Sequence, residues 1–147
     1  MANAIPDLWP EIEQSTVVPP VAILREQAAA LGNKTSHLLE GRVDSRTDGA
    51  GNFIHSFYVV APTLDNYTYN LFSISHGADA YPVTVSRPQR MGPDKHIIRL
   101  GPDNRPLPET LIINSEKELL DYLREVLNSD KTKRIVGSLL AQVKAAT

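Results

Sequence analysis

Residues 53–61 and 67–75 hold six of the chain's nine aromatic residues together with β-branched Ile, Val and Thr, and only Pro62-Thr63-Leu64-Asp65-Asn66 separates them. Two strand-forming runs joined by five turn-forming residues predict an antiparallel hairpin. A symmetric loop would set His55 opposite Ser73, Phe57 opposite Leu71 and Val59 opposite Tyr69 on one side, with Ile54 facing Ile74 and Ser56 facing Phe72 on the other. Both faces then read as largely apolar, so helices or the N-terminal segment are expected to cover each of them. A one-residue slip would exchange the two faces.

The rest of the chain arranges itself around this hairpin. Residues 1–19 carry acids and several prolines and read as an extended arm with Trp9 as its one large anchor. Pro20 opens a predicted helix over 20–31, whose apolar positions Ile23, Leu24, Ala28 and Leu31 recur at helical spacing and which Gly32-Asn33 should stop. From Ser36 the period falls to two, with Leu39 and Val43 alternating with Glu40, Arg42 and Asp44, and residues 48–52 force a turn. Tyr81-Pro82-Val83-Thr84-Val85 reads as a further strand, its proline acceptable at a strand start or sheet edge. Residues 87–108 contain five prolines around a short apolar run at 96–100, which predicts a long excursion carrying one short strand, and 110–113 reads as another.

Ser115 followed by Glu118 is a capping box, and Leu119, Leu120, Leu123, Val126 and Leu127 form the apolar stripe of the helix it opens. Asn128-Ser129-Asp130 can break and recap a helix, and Ile135, Val136, Leu139, Leu140 and Val143 supply a second stripe. The predicted fold is α+β. A mostly antiparallel sheet of four to six strands carries one N-terminal helix and two C-terminal helices packed on it, in a single domain over 20–147.

Composition narrows the functional classes. At 147 residues one ordinary core can form without staples, and the absence of cysteine removes disulfides, thiolate metal sites and cysteine nucleophiles together. No apolar run approaches the roughly 20 residues needed to span a bilayer, and the acidic, proline-bearing start is unlike a secretory signal, so a cytoplasmic protein with no membrane partner is expected. The net charge of -2 conceals segregation. Six acids stand between positions 109 and 130 against Lys117 and Arg124, and Lys131, Lys133, Arg134 and Lys144 follow with no acid among them. Such charges suit helix dipoles and solvated faces.

Candidate chemistry is sparse. His55 and Ser73, placed on one sheet face by the symmetric register, could work as base and nucleophile, but neither lies in a strained turn and no carboxylate is assigned to orient the imidazole. Ser75-His76-Gly77-Ala78-Asp79 gathers polar groups at a strand end, where functional loops often sit; a turn explains the segment equally well. His37, His55, His76 and His96 lack paired ligand spacing, and the glycines at 49 and 51 lack the lysine of a phosphate loop, so no metal or cofactor is expected. The net +3 of residues 87–105 is a weak nucleic-acid signal, opposed by the overall negative charge and by an element order unlike that of an RNA-recognition domain.

These observations favour a non-enzymatic protein-interaction module: an adaptor, an immunity-type inhibitor or an assembly subunit that binds another protein or a second copy of itself. The candidate contacts are Trp9, Tyr67, Tyr69 and Tyr81, and one exposed patch, apolar at its centre with a charged rim, is expected to include Trp9 or the tyrosines. The alternative is a small-ligand protein or minor enzyme, with a pocket between sheet and helices lined by Phe57, Tyr69 and Leu71 near His55 and Ser73, His76 and Asp79 being further polar candidates.

Overall fold

A computed structural model of the chain describes residues 4–86 and 110–146. The elements follow in the order α1 (Pro20–Lys34), β1 (Glu40–Thr47), β2 (Phe53–Ala61), β3 (Tyr67–His76), β4 (Val83–Ser86), β5 (Thr110–Ile113), α2 (Glu116–Leu127) and α3 (Asp130–Ala145). The five strands form one antiparallel sheet in sequence order β1-β2-β3-β4-β5. This is the predicted α+β arrangement. The strand expected at 96–100 lies outside the described residues.

Helix α1 starts at Pro20, whose fixed φ and missing N–H suit the first helical turn. It runs past Gly32, the expected stop, to Lys34. A Cβ at Gly32 would sit 2.7 Å from a carboxylate oxygen of Glu40, the far end of a flexible side chain that can move aside. The chain reverses just beyond the helix, where Ser36 and His37 both adopt left-handed φ. That turn delays β1 to Glu40, so the strand starts later than the alternation from Ser36 implied. At Gly41, a Cβ would run into the Cα of Ala28, so β1 and α1 touch backbone to backbone.

The hairpin departs from the symmetric register in one place. Next to the loop the pairing is as expected, with Ala61 opposite Tyr67 and Val59 opposite Tyr69. Between Phe57 and Tyr58 the ladder shifts, because Leu71 is an extra residue on β3. Beyond it Phe57 faces Phe72, His55 faces Ile74, Ser56 faces Ser73 and Ile54 faces Ser75. The expected pairs His55 with Ser73, Phe57 with Leu71, Ile54 with Ile74 and Ser56 with Phe72 are therefore corrected. Burial drives the shift: the bulge puts Phe72 and Ile74 on the same face as Phe57 and Val59, and moves Ser73 and Ser75 to the other.

All three helices pack on that sorted face. Ile23, Leu24 and Ala28 of α1 and Leu119, Tyr122 and Leu123 of α2 close over Phe57, Phe72, Ile74, Val83, Val85 and Ile113. Leu139 and Val143 of α3 close over Val59, Ala61 and Leu39. Among the described residues the opposite face is mixed: Asp44, Ser56, Ser73, Ser75 and Thr84 run across it beside Ile54, Tyr58, Val60 and Ile112, and none of these joins either apolar cluster. The expectation of cover on both faces is thus corrected to a two-layer arrangement.

The cap before α2 forms with one change of partner: the Glu118 N–H donates to Ser115 Oγ (3.2 Å), while the Glu118 carboxylate accepts from the Asn114 N–H (2.7 Å), one residue before the cap, rather than from that of Ser115. Ser129 caps α3 in turn, accepting from the Thr132 N–H (3.2 Å). Among the described residues no helix is long and apolar enough to cross a membrane.

Candidate functional site

Two regions concentrate chemistry or unpartnered apolar surface: the far end of the hairpin and the N-terminal arm. At the hairpin end, the shifted register places His55 diagonally from His76 and directly across from Ser45 on β1. The three side chains connect. Ser45 Oγ lies 2.8 Å from His55 Nδ1, and His55 Nε2 lies 3.0 Å from His76 Nε2. His76 Nδ1 lies 2.8 Å from the Gly77 carbonyl oxygen and 3.1 Å from that of Asp79.

Carbonyl oxygens only accept, so His76 Nδ1 carries a proton. In the uncharged pair His76 Nε2 is then an acceptor, which requires His55 Nε2–H to donate to it. His55 Nδ1 is left as an acceptor for the Ser45 hydroxyl. The whole chain of donors therefore runs one way, from Ser45 through both rings to the loop carbonyls.

His55 is buried, and its proton affinity is lowered first by that burial and then by the neighbouring charges of His76 and Arg25. Phe53 lies beside both rings, parallel to His55 at 6.4 Å and tilted over His76 at 5.4 Å. An open cleft of ≈ 420 Å³ borders His76, with Asn52, Ser75, Asp79 and Tyr81 on its walls. Among the described residues no group of three histidines or acids forms a metal cluster, and His55 with His76 is the pair whose ring nitrogens converge.

The predicted partnership of His55 with Ser73 does not occur. Ser73 Oγ bonds Ser56 Oγ at 2.8 Å on the opposite sheet face. Asp79 contributes a backbone oxygen rather than its exposed carboxylate. Phe57, expected on a pocket wall, is packed in the core with its ring 5.4 Å from that of Phe72. Sequence reasoning missed Ser45 and Phe53. Period-two alternation continued past Asp44 would have placed Ser45 on the face of Val43, and with the bulge known, beside His55.

The interaction candidates separate into three places. Tyr67 and Tyr69 line a groove of ≈ 320 Å³ at the hairpin tip with Leu64 and, from α3, Ile135, Ser138, Leu139 and Gln142. Tyr81 sits at the opposite end of β3, where its hydroxyl donates to the Val18 carbonyl (3.3 Å) and fastens the root of the arm. Burial, and then the Glu116 carboxylate, push the Tyr81 phenol up. Trp9 belongs to neither location.

The arm itself, residues 4–19, is extended and exposed throughout. Its order is local: the Trp9 N–H donates to the Asp7 carboxylate (3.0 Å) and the Val17 N–H to Ser15 Oγ (3.1 Å). Ile5, Leu8, Trp9 and Ile12 are 90%, 83%, 77% and 74% exposed.

Comparison of the chain with protein-family models, with curated proteins and with solved structures gives no match.

Proposed function

We propose that this chain is a cytoplasmic, non-enzymatic protein-interaction module whose N-terminal arm is the segment a partner captures. The observation that carries the reading is the exposure of Ile5, Leu8, Trp9 and Ile12, four large apolar side chains within eight residues. Exposed apolar side chains scattered singly are ordinary, whereas a contiguous set marks a contact surface. Burying these four against a partner yields roughly 6–12 kcal/mol gross, at about 1.5–3 kcal/mol each. Ordering an extended segment costs about 2–5 kcal/mol of that.

Asp7, Glu11 and Glu13 interleave with the apolar residues, so the complementary surface is an apolar groove with a basic rim. The attachment of Val18 to Tyr81 holds the root of the arm on the domain while leaving its distal half free to dock.

The test is differential capture from lysate of the source organism, with the full chain and the double variant Leu8→Asp/Trp9→Asp as baits. A partner enriched by the first and depleted at least about tenfold with the second supports the reading. Identical capture profiles contradict it.

A further inference from the structure

We infer that His55 and His76 form an open two-imidazole site for a borderline divalent cation such as Zn²⁺, Ni²⁺ or Cu²⁺, seated between their Nε2 atoms. This inference is independent of the arm.

The first argument is distance. Two imidazole nitrogens on one tetrahedral ion, each about 2.0–2.1 Å from it, stand about 3.3 Å apart. In the structure the Nε2 atoms are 3.0 Å apart and the ring centroids 5.1 Å apart. Seating an ion needs a small rotation of each ring, with no strand displacement.

The second argument is the set of groups behind the ligands. A histidine bound to a metal through one nitrogen characteristically donates its other N–H to a fixed acceptor, which sets the tautomer and aims the ring. His76 Nδ1–H already donates to the carbonyls of Gly77 and Asp79. His55 Nδ1 faces Ser45 Oγ, and a hydroxyl can either donate or accept. When His55 releases its Nε2 to the ion, its proton moves to Nδ1 and the Ser45 hydroxyl rotates to accept from it. No hydrogen bond behind either ring is lost and no net proton leaves the pair. A serine opposite His55 permits this exchange, which an apolar residue there would block.

The third argument is selectivity. Imidazole donors favour zinc, nickel and copper over magnesium and calcium. With two protein ligands the ion keeps exchangeable positions, available to water or to a donor group of a bound molecule.

The experiment titrates Zn²⁺ alone into the untagged, metal-stripped chain by calorimetry and follows ¹⁵N-labelled histidine by NMR. The expected result is one ion per chain in the micromolar range, with the Nε2 resonances of His55 and His76 shifting while their Nδ1 atoms hold protons. His76→Gln, at a half-buried ring and so compatible with folding, should weaken binding at least about tenfold. His37→Ala, which removes the exposed imidazole paired with Glu40, should leave affinity unchanged. No saturable binding up to about 1 mM Zn²⁺, binding undiminished in His76→Gln, or binding lost equally in His37→Ala each overturns the inference.

Discussion

The sheet's covered face and the N-terminal arm are built from the same kinds of side chain and put them to opposite uses. Phe57 and Phe72 stack under α1 and α2 with almost no exposure, while Trp9 and Ile12 stand in water on the distal part of the arm, which is fastened to the domain further along, at Val18. The difference lies in neighbours along the chain. The hairpin residues alternate with a period that one sheet face can collect, and the bulge at Leu71 corrects the period where it would otherwise fail. The arm is punctuated by Pro6 and Pro10, which deny it both a ladder and a helix, so its apolar groups have no internal surface to join.

The largest expected effect sharpens that contrast directly. Phe72→Ala should destabilise the domain by about 3–5 kcal/mol, because it removes a ring stacked on Phe57 and edged by Tyr122 and leaves a cavity. Trp9→Ala should change stability by no more than about 0.5 kcal/mol. Urea denaturation of both variants measures the two values, and a comparable loss for Trp9→Ala would erase the distinction between arm and body.

A smaller effect is expected from shortening β3. Deleting one residue from a central strand normally flips every side chain beyond it. Deleting Leu71 should instead leave a regular ladder, since Asn70 opposite Tyr58 and Phe72 opposite Phe57 are already adjacent pairs on either side of it. The cost should be about 1–3 kcal/mol, from the loss of one partly buried leucine. Loss of cooperative unfolding in this deletion would show that the bulge does more than sort residues between faces.

The smallest effect concerns the turn before β2. Asp48 accepts from the Ala50 and Asn52 backbone N–H groups at 2.8 and 3.0 Å and from the Asn52 side chain at 3.0 Å. These bonds, the Asn52 side chain foremost, hold its carboxyl below the usual value of 3.8. The folded chain thus binds this proton less readily than the unfolded one. The stability Asp48 supplies is complete above the unfolded value and is lost as pH falls through the folded one. The difference in thermal midpoint between the native chain and Asp48→Asn should shrink on acidification from pH 5 to pH 2, measured by circular dichroism. A gap that stays constant over that range would refute the assignment.

Much of the fold was legible because its signals are local. The Ser115 capping box, the turn at 48–52, the five-residue hairpin loop and both C-terminal helix stripes depend on residues within a few positions of one another. The Leu71 bulge was not legible, since it arises from competition between register and burial across the whole sheet, and one unread residue redirected every pairing beyond it. The same residue decided the candidate site. His55 and Ser73 are separated because the ladder slips between them and the loop, and the slip that parts them brings His55 to His76 and Ser45. Gly32 misled for a different reason: α1 runs past it to Lys34, and the left-handed turn falls on Ser36 and His37.

Trp9 is the chain's one tryptophan, so its fluorescence reports on the arm alone. Acrylamide quenching and emission wavelength, recorded for the purified chain and then with the partner recovered by differential capture, test the central claim most directly. The account predicts a water-exposed, freely quenched indole in the isolated chain that shifts to shorter wavelength and becomes shielded in the complex. An indole already shielded in the isolated chain, or one unchanged on complex formation, would contradict it.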